Sequence, residues 1–296
     1  MTPTLAQHHE QPPNAASAPA LPADAGARAR DWAEIQERML VPLYEAVYER
    51  LEVHTGTRVL GLGCGSGLAL LLAASRGARV TGVDADEERL ALARERLVVE
   101  GKRDDRSAGS SVPAATGTLL PVDRMAEAAA APGRSPYDLI TAFQPIGSTA
   151  DDVEELAPAL GTAIPLAEHG TPVVLAGWGP PERCATDAVL RVAGRLTGAP
   201  RTGGRSPAHR DDLEEVAARA GLEPDGSGRV ACPFGYADTE SAVRGLLSTG
   251  VFDGAIGATD RRQVEKEISE ALRPHLRPDG TVWMENVFRY LIARTP

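Results

Sequence analysis

From Arg28 to Leu51 the apolar positions Trp32, Ile35, Met39, Leu43, Ala46, Val47 and Leu51 recur at helical spacing, with Pro42 interrupting them. The pattern predicts two short amphipathic helices. Beyond Leu51 the period changes. An apolar run at Arg58 to Leu62 leads into a helical stretch, Gly67 to Ser75. A second run, Arg79 to Val83, leads into a helix over Asp86 to Val99. Strands alternating with helices of this size indicate a parallel sheet with right-handed crossovers. The charged and then Ser/Gly-rich stretch Gly101 to Ala115 reads as a surface loop before a short strand near Thr116 to Leu120.

Alternation resumes with a strand at Tyr137 to Phe143, a helix at Asp152 to Ala167 and a strand at Pro172 to Trp178. Helices follow near Cys184 to Leu196 and Arg210 to Ala220, then a strand at Ser227 to Pro233. Helices near Thr239 to Leu247 and Asp260 to Leu272 precede a last strand, Thr281 to Ala293, after the turn Arg277-Pro278-Asp279-Gly280. The expected fold is α/β: a doubly wound, seven-stranded, Rossmann-like sheet with an N-terminal helical lid and a helical insertion near the C-terminus. Residues 1–25 are rich in Pro and Ala without apolar periodicity and read as a disordered leader. Residues 26–54 read as the helical cap, and 55–296 as the core with an insertion at about 237–275.

Composition narrows the function. Hydrophobic residues make up 43% and charged residues 24% of the 296, enough for one large packed core. The net charge of −10 opposes binding to a phosphate backbone and so argues against nucleic acid. Lysine occurs only at 102 and 266, an arginine-heavy usage associated with high-GC bacterial genomes. Cys64, Cys184 and Cys232 form no CxxC pair, so neither a disulfide framework nor a metal site is signalled, which suits a reducing cytoplasm. The longest apolar run, Leu68 to Ala74, is far too short to span a bilayer, and no signal segment is expected.

The chemistry concentrates at Val59-Leu60-Gly61-Leu62-Gly63-Cys64-Gly65-Ser66-Gly67, an apolar strand entering a glycine-rich turn and then an apolar helix. Glycines permit a tight turn and close approach of a ligand, and the helix N-terminus offers N–H groups. The dinucleotide fingerprint GxGxxG is not met: counted from Gly61, Gly63 or Gly65, its last position falls on Ser66, Leu68 or Leu70. About 20 residues after the turn, Val83-Asp84-Ala85-Asp86 closes the second strand with an acid, the separation at which a carboxylate holds ribose hydroxyls. The alternative for Asp84 is a helix cap, for which Asp86 is better placed.

Together these segments resemble class I S-adenosylmethionine (SAM)-dependent methyltransferases, in particular bacterial, actinobacterial-type enzymes that act on small molecules and natural products. Gly63, Gly65 and Gly67 match the family's first motif, which cradles the methionine part of SAM. Gly61 stands where the family usually carries Asp or Glu. The resemblance implies SAM as cofactor, held by Gly61, Gly63, Cys64, Gly65, Asp84 and Ala85. Thr118 and the backbone of Leu119 stand in for an absent acid on the adenine side. Phe143 lies at the cofactor edge, and Gln144 at the end of the fourth strand faces the acceptor. Trp32, Tyr44 and Tyr48 of the cap, with Phe234, Tyr236 and Phe252 further on, are pocket candidates, each with core packing as its alternative.

If the acceptor needs a base, the candidates are His54, His169, His209, His275, Glu182 and Glu285, with His209 placed first as the catalytic residue. The expected partner is a small-molecule acceptor, with a homodimer as the accompanying assembly. Two alternatives stay open: a methyltransferase-like partner subunit with a decayed cofactor site, and an enzyme that uses the same site for a non-methylating reaction.

Overall fold

The structure, a computed structural model, describes residues 25–99, 116–125, 135–146, 152–198 and 212–296. The leader, the 101–115 segment and His209 lie outside the described residues.

The main sheet runs β3 (Val98–Val99), β4 (Thr116–Pro121), β2 (Arg79–Asp84), β1 (Arg58–Leu62), β5 (Leu139–Ile146), β6 (Pro172–Trp178), β10 (Val287–Arg294), β7 (Glu223–Ala231). The seven expected strands are all present, and the two-residue β3 extends one edge. Strands β3 to β6 pair in parallel, whereas β10 runs antiparallel between β6 and β7. The order reverses at β1, which pairs with β2 on one side and β5 on the other, so the topological switch point lies beyond the carboxyl ends of β1 and β5.

Successive strand residues face opposite layers, and both are apolar. Val59, Leu139, Val174 and Ala176 pack into one core with α3 (Leu68–Ser75), α4 (Glu87–Arg96) and α6 (Asp187–Leu196). Leu60, Ile140, Val173 and Leu175 pack into the other, with Leu160 of α5 (Asp152–Ala163) and Leu213 and Val216 of α7 (Asp212–Arg219). The sequence between β7 and β10 holds a ribbon, β8 (Phe234–Tyr236) paired with β9 (Val282–Met284). Between the two ribbon strands lie α8 (Thr239–Leu247), α9 (Asp253–Ala258) and α10 (Arg261–Leu272).

Three details differ from the sequence pattern. The helix expected over Asp86 to Val99 stops at Arg96, and Val98–Val99 pair with β4 as a strand. The single last strand expected over Thr281 to Ala293 is two strands. Its backbone at Glu285 and Asn286 leaves the ladder: Glu285 accepts a hydrogen bond from Ala185 N–H at 2.8 Å, and Asn286 accepts one from Cys232 N–H at 2.9 Å. The cap is also one irregular rod. Helix α1 (Ala25–Asp31) passes through a π-helical turn, Trp32–Gln36, and a 3-10 turn, Glu37–Leu40, into α2 (Val41–Arg50). Pro42 sits in the first turn of α2, where its missing N–H costs nothing, and the irregular backbone lies just before it.

Candidate functional site

The glycine turn fits its conformation. Gly63, Gly65 and Gly67 have φ of 59°, 57° and 80°, left-handed values that side-chain-bearing residues rarely adopt. Gly61 is glycine for a different reason: a Cβ there would lie 2.9 Å from Leu70 Cδ2, because a leucine of α3 fills the space beside β1. A side chain at that position would need the end of Leu70 to shift.

Asp84, 8% exposed at the end of β2, accepts Gly65 N–H at 2.7 Å through Oδ2 and Asp86 N–H at 2.9 Å through Oδ1. Asp86 caps α4, accepting Glu88 N–H at 3.0 Å and Arg89 N–H at 3.1 Å. The two acids thus divide the work: Asp86 starts the helix, and Asp84 ties the glycine turn to β2. A carboxylate accepts about four hydrogen bonds, so Asp84 retains capacity for a ligand hydroxyl.

The cap supplies a third acid. Glu37, 2% exposed, lies against the N-terminus of α3, where its Oε1 accepts Ser66 N–H at 3.2 Å and its Oε2 accepts the Ser66 hydroxyl. Arg96 Nη1 donates to Glu37 Oε2 at 2.7 Å, to Ser66 Oγ at 2.7 Å and to Ser66 C=O at 3.1 Å. Burial pushes the Glu37 carboxyl above its ordinary value, opposed by the Ser66 hydrogen bond and the Arg96 charge. Burial likewise raises the Cys64 thiol and the Tyr44 and Tyr48 phenols, so none of them ionises readily near neutrality.

Three cavities meet at this end of the sheet, and Gln144 lines all of them. The first, between cap and turn, is lined by Trp32, Glu37, Tyr44, Gly61 to Gly65, Arg89 and Phe143 among others. The second, of about 140 Å3, is bounded by Gly63, Val83, Asp84, Ala85, Val122, Ala142, Leu156 and Ala159. The third, of about 230 Å3, has a mixed lining: Trp178, Leu190, Phe234, Leu246, Val251 and Phe288 on the apolar side, with Gln36, Arg89, Gln144, Thr186 and Thr249 as polar groups.

Of the residues singled out in the sequence, Gly61, Gly63, Cys64, Gly65, Asp84, Ala85, Phe143, Trp32, Tyr44, Gln144 and Phe234 all line one of these spaces. Thr118 and Leu119 line none of the three; Leu119 is core, 8% exposed. Tyr236 is buried and donates its hydroxyl to Gln36 Oε1 at 3.0 Å, orienting an amide that lines the third cavity. Tyr48 packs edge-on against Phe143, and Phe252 is fully buried. His54, His169, Glu182 and Glu285 are exposed, and neither they nor His275 borders any of these three cavities. The residues missed in the sequence are Glu37, Arg89 and Val122. Nothing near them in the chain marks them, because their neighbours at the site come from distant segments.

Residues 25–225 match the family described as the methyltransferase domain. The chain belongs to that family. Its enzymes use SAM, and SAM is the cofactor of this methyltransferase. A curated relative, methyltransferase GfsG of Streptomyces halstedii, is 44% identical over 73 residues, which span 24% of this chain and 25% of that protein. Among solved structures, the chain is similar to phosphoethanolamine N-methyltransferase 2 of Haemonchus contortus in complex with SAM (16% identity, TM-score 0.49, covering 92% of this chain and 57% of that one). It is also similar to a SAM-dependent methyltransferase of Geobacter sulfurreducens in complex with S-adenosylhomocysteine (17% identity, TM-score 0.45, covering 88% and 92%).

The residues fit SAM. The turn presents backbone without side chains, Asp84 offers a carboxylate for ribose hydroxyls, and the second cavity is apolar enough for a purine.

Proposed function

We propose that this methyltransferase acts on a small molecule with both apolar and polar groups, bound in the cavity of about 230 Å3 beside the glycine turn. One observation carries the reading: Gln144, at the carboxyl-terminal end of β5, borders the turn, the Asp84 cavity and the third cavity at once. A donor beside the turn and an acceptor in the third cavity would meet at that side chain.

SAM supplies an electrophilic methyl group with a good leaving group, so the protein's task is chiefly alignment. Asp84 holds the nucleoside side, and the backbone of Gly63 and Gly65 takes the methionine side. Trp178, Phe234 and Phe288 pack together, with ring centroids 4.5 to 6.0 Å apart, and form a rigid apolar wall. Trp32 and Leu40 of the cap line both the turn and the acceptor cavity and shield them from water. Among the described residues no histidine or carboxylate lines the acceptor cavity.

The net charge of −10 argues against a nucleic-acid acceptor, and no helix of the described residues is long and apolar enough to cross a membrane. Specialised metabolism is the setting that the resemblance to bacterial natural-product methyltransferases suggests.

The test is incubation of the full chain with methyl-labelled SAM and a library of small molecules, reading labelled product and S-adenosylhomocysteine by mass spectrometry. Label transfer in equal amount to S-adenosylhomocysteine formed supports the reading. Turnover of an acceptor without gain of the label overturns it in favour of a non-methylating reaction, and label found only on nucleic acid or protein overturns the small-molecule acceptor.

A further inference from the structure

Position 61 leaves the methionine end of SAM without the carboxylate the family places there, and the end of Leu70 crowds a Cβ at that position. The cavity over the same turn nevertheless contains one carboxylate, Glu37, and one guanidinium, Arg89. Glu37 comes from the cap, 29 residues before Ser66. Its Oε1, which takes the longest of its hydrogen bonds, faces Gly65: a Cβ there would stand 2.9 Å from it.

The same open side of Gly65 faces a donor. A Cβ at Gly65 would lie 3.1 Å from Trp32 Nε1, and that indole N–H is buried with no hydrogen-bond partner. Beside it, Arg89 stacks on the Trp32 ring at 4.4 Å. Arg89 Nη2 donates to Ser248 C=O at 3.1 Å, while its Nε lies 3.3 Å from Asp86 Oδ2 but out of hydrogen-bond alignment and is otherwise unmatched. Two buried N–H donors without acceptors cost free energy unless something accepts from them. A carboxylate and an open indole N–H beside one left-handed glycine, with a guanidinium lining the same cavity, complement a zwitterion.

We infer that Glu37, Trp32 and Arg89 form the subsite for the α-amino-acid end of the cofactor. Glu37 takes the ammonium in place of the carboxylate lost at position 61, and Trp32 Nε1 and Arg89 take the carboxylate. The inference rests on the SAM reading above and assigns the residues of that site. Only about 20 Å3 separates turn from cap, so the amino-acid group enters as Trp32 and Glu37 draw back from Gly65. Both stand on the π and 3-10 turns, where the backbone is least regular.

The test uses two probes that share a nucleoside: S-adenosylhomocysteine, which keeps the amino-acid end, and 5′-methylthioadenosine, which lacks it. Calorimetric titration of wild type and Glu37→Gln should show S-adenosylhomocysteine binding weakened at least about tenfold and methylthioadenosine binding changed less than about twofold. Trp32→Phe, which removes the N–H while keeping the ring over Arg89, should weaken S-adenosylhomocysteine alone by several-fold and carries the test if Glu37→Gln folds poorly.

Equal weakening of both probes overturns the assignment and reduces Glu37 to a support of the turn. Unchanged S-adenosylhomocysteine binding in both variants also overturns it. Tighter binding by Glu37→Gln would mean that Glu37 competes with the cofactor's carboxylate for the α3 N-terminus. Binding of neither probe by wild type would overturn the SAM reading itself, and the subsite with it.

Discussion

Replacing Arg96 by leucine isolates the electrostatics that fasten the cap to the glycine turn. The guanidinium donates to Glu37 Oε2 at 2.7 Å, to Ser66 at two atoms, and through Nη2 to Ala33 C=O at 3.0 Å. The Glu37 side chain is 3% exposed and that of Arg96 26%. Removing one member of a buried pair strands the other, at about 3–5 kcal/mol; the partial exposure of Arg96 puts Arg96→Leu near the lower end, about 3 kcal/mol. At about 2–4 °C per kcal/mol the melting temperature should fall on the order of 10 °C.

The deficit should depend on pH. Burial already holds the Glu37 carboxyl above 4.5, and loss of the Arg96 charge raises it further. A group whose folded pKa exceeds its unfolded value contributes stability that is fully present below 4.5 and is lost as pH rises through the folded value. Arg96→Leu should therefore fall further below wild type at pH 8 than at pH 5, and adding Glu37→Gln should recover part of the loss at pH 8. Scanning calorimetry of wild type, single and double variants at both pH values checks this. A deficit under about 2 °C, or one equal at both pH values, would refute the buried-charge reasoning.

Asp84→Ala should weaken S-adenosylhomocysteine at least about tenfold in calorimetric titration, from lost hydrogen bonds to a charged group worth roughly 1.5–3 kcal/mol; unchanged affinity would remove Asp84 from the cofactor site. Leu190→Trp places an indole in the cavity of about 230 Å3 and should abolish methylation of the acceptor while S-adenosylhomocysteine affinity stays within about twofold, so retained turnover would move the acceptor elsewhere. His54→Ala, His169→Ala and His275→Ala should each keep acceptor turnover within about twofold, since none lines any of the three cavities; a loss beyond tenfold in any one would identify a base at that position.

The sheet could be read from the chain because its strands are buried on both faces and its helices carry one apolar side. These are local patterns that survive without knowledge of partners. The glycines at 63, 65 and 67 were legible for the same reason: the backbone conformation they permit is written in the residues themselves. Gly61 was harder. Its sequence neighbours show a missing carboxylate, whereas the atom that crowds a side chain there, Leu70 Cδ2, lies on the next helix. Glu37 could not be found from spacing at all, since its partners Ser66 and Arg96 stand 29 and 59 residues away. Thr118 and Leu119 show the converse. Matched by position to a family motif, they sit within β4, short of its carboxyl end, where Pro121 pairs with Asp84 and Val122 lines the cavity.

Topology explains why such a carboxylate can come from another element. Helix α3 packs on one face of the sheet and α5 on the other, so the chain leaves β1 and β5 in opposite directions and a crevice opens beyond their ends. The glycine turn and Gln144 face that crevice because of strand order, whatever residues stand beside them. Which charges enter it depends on what roofs it, and here the roof is the cap, whose π and 3-10 turns place Trp32, Gln36, Glu37 and Leu40 along its inner walls. A charge lost from the strand can then be supplied from the roof at little cost to the sheet, and such an exchange is invisible to any motif confined to the strand and its turn.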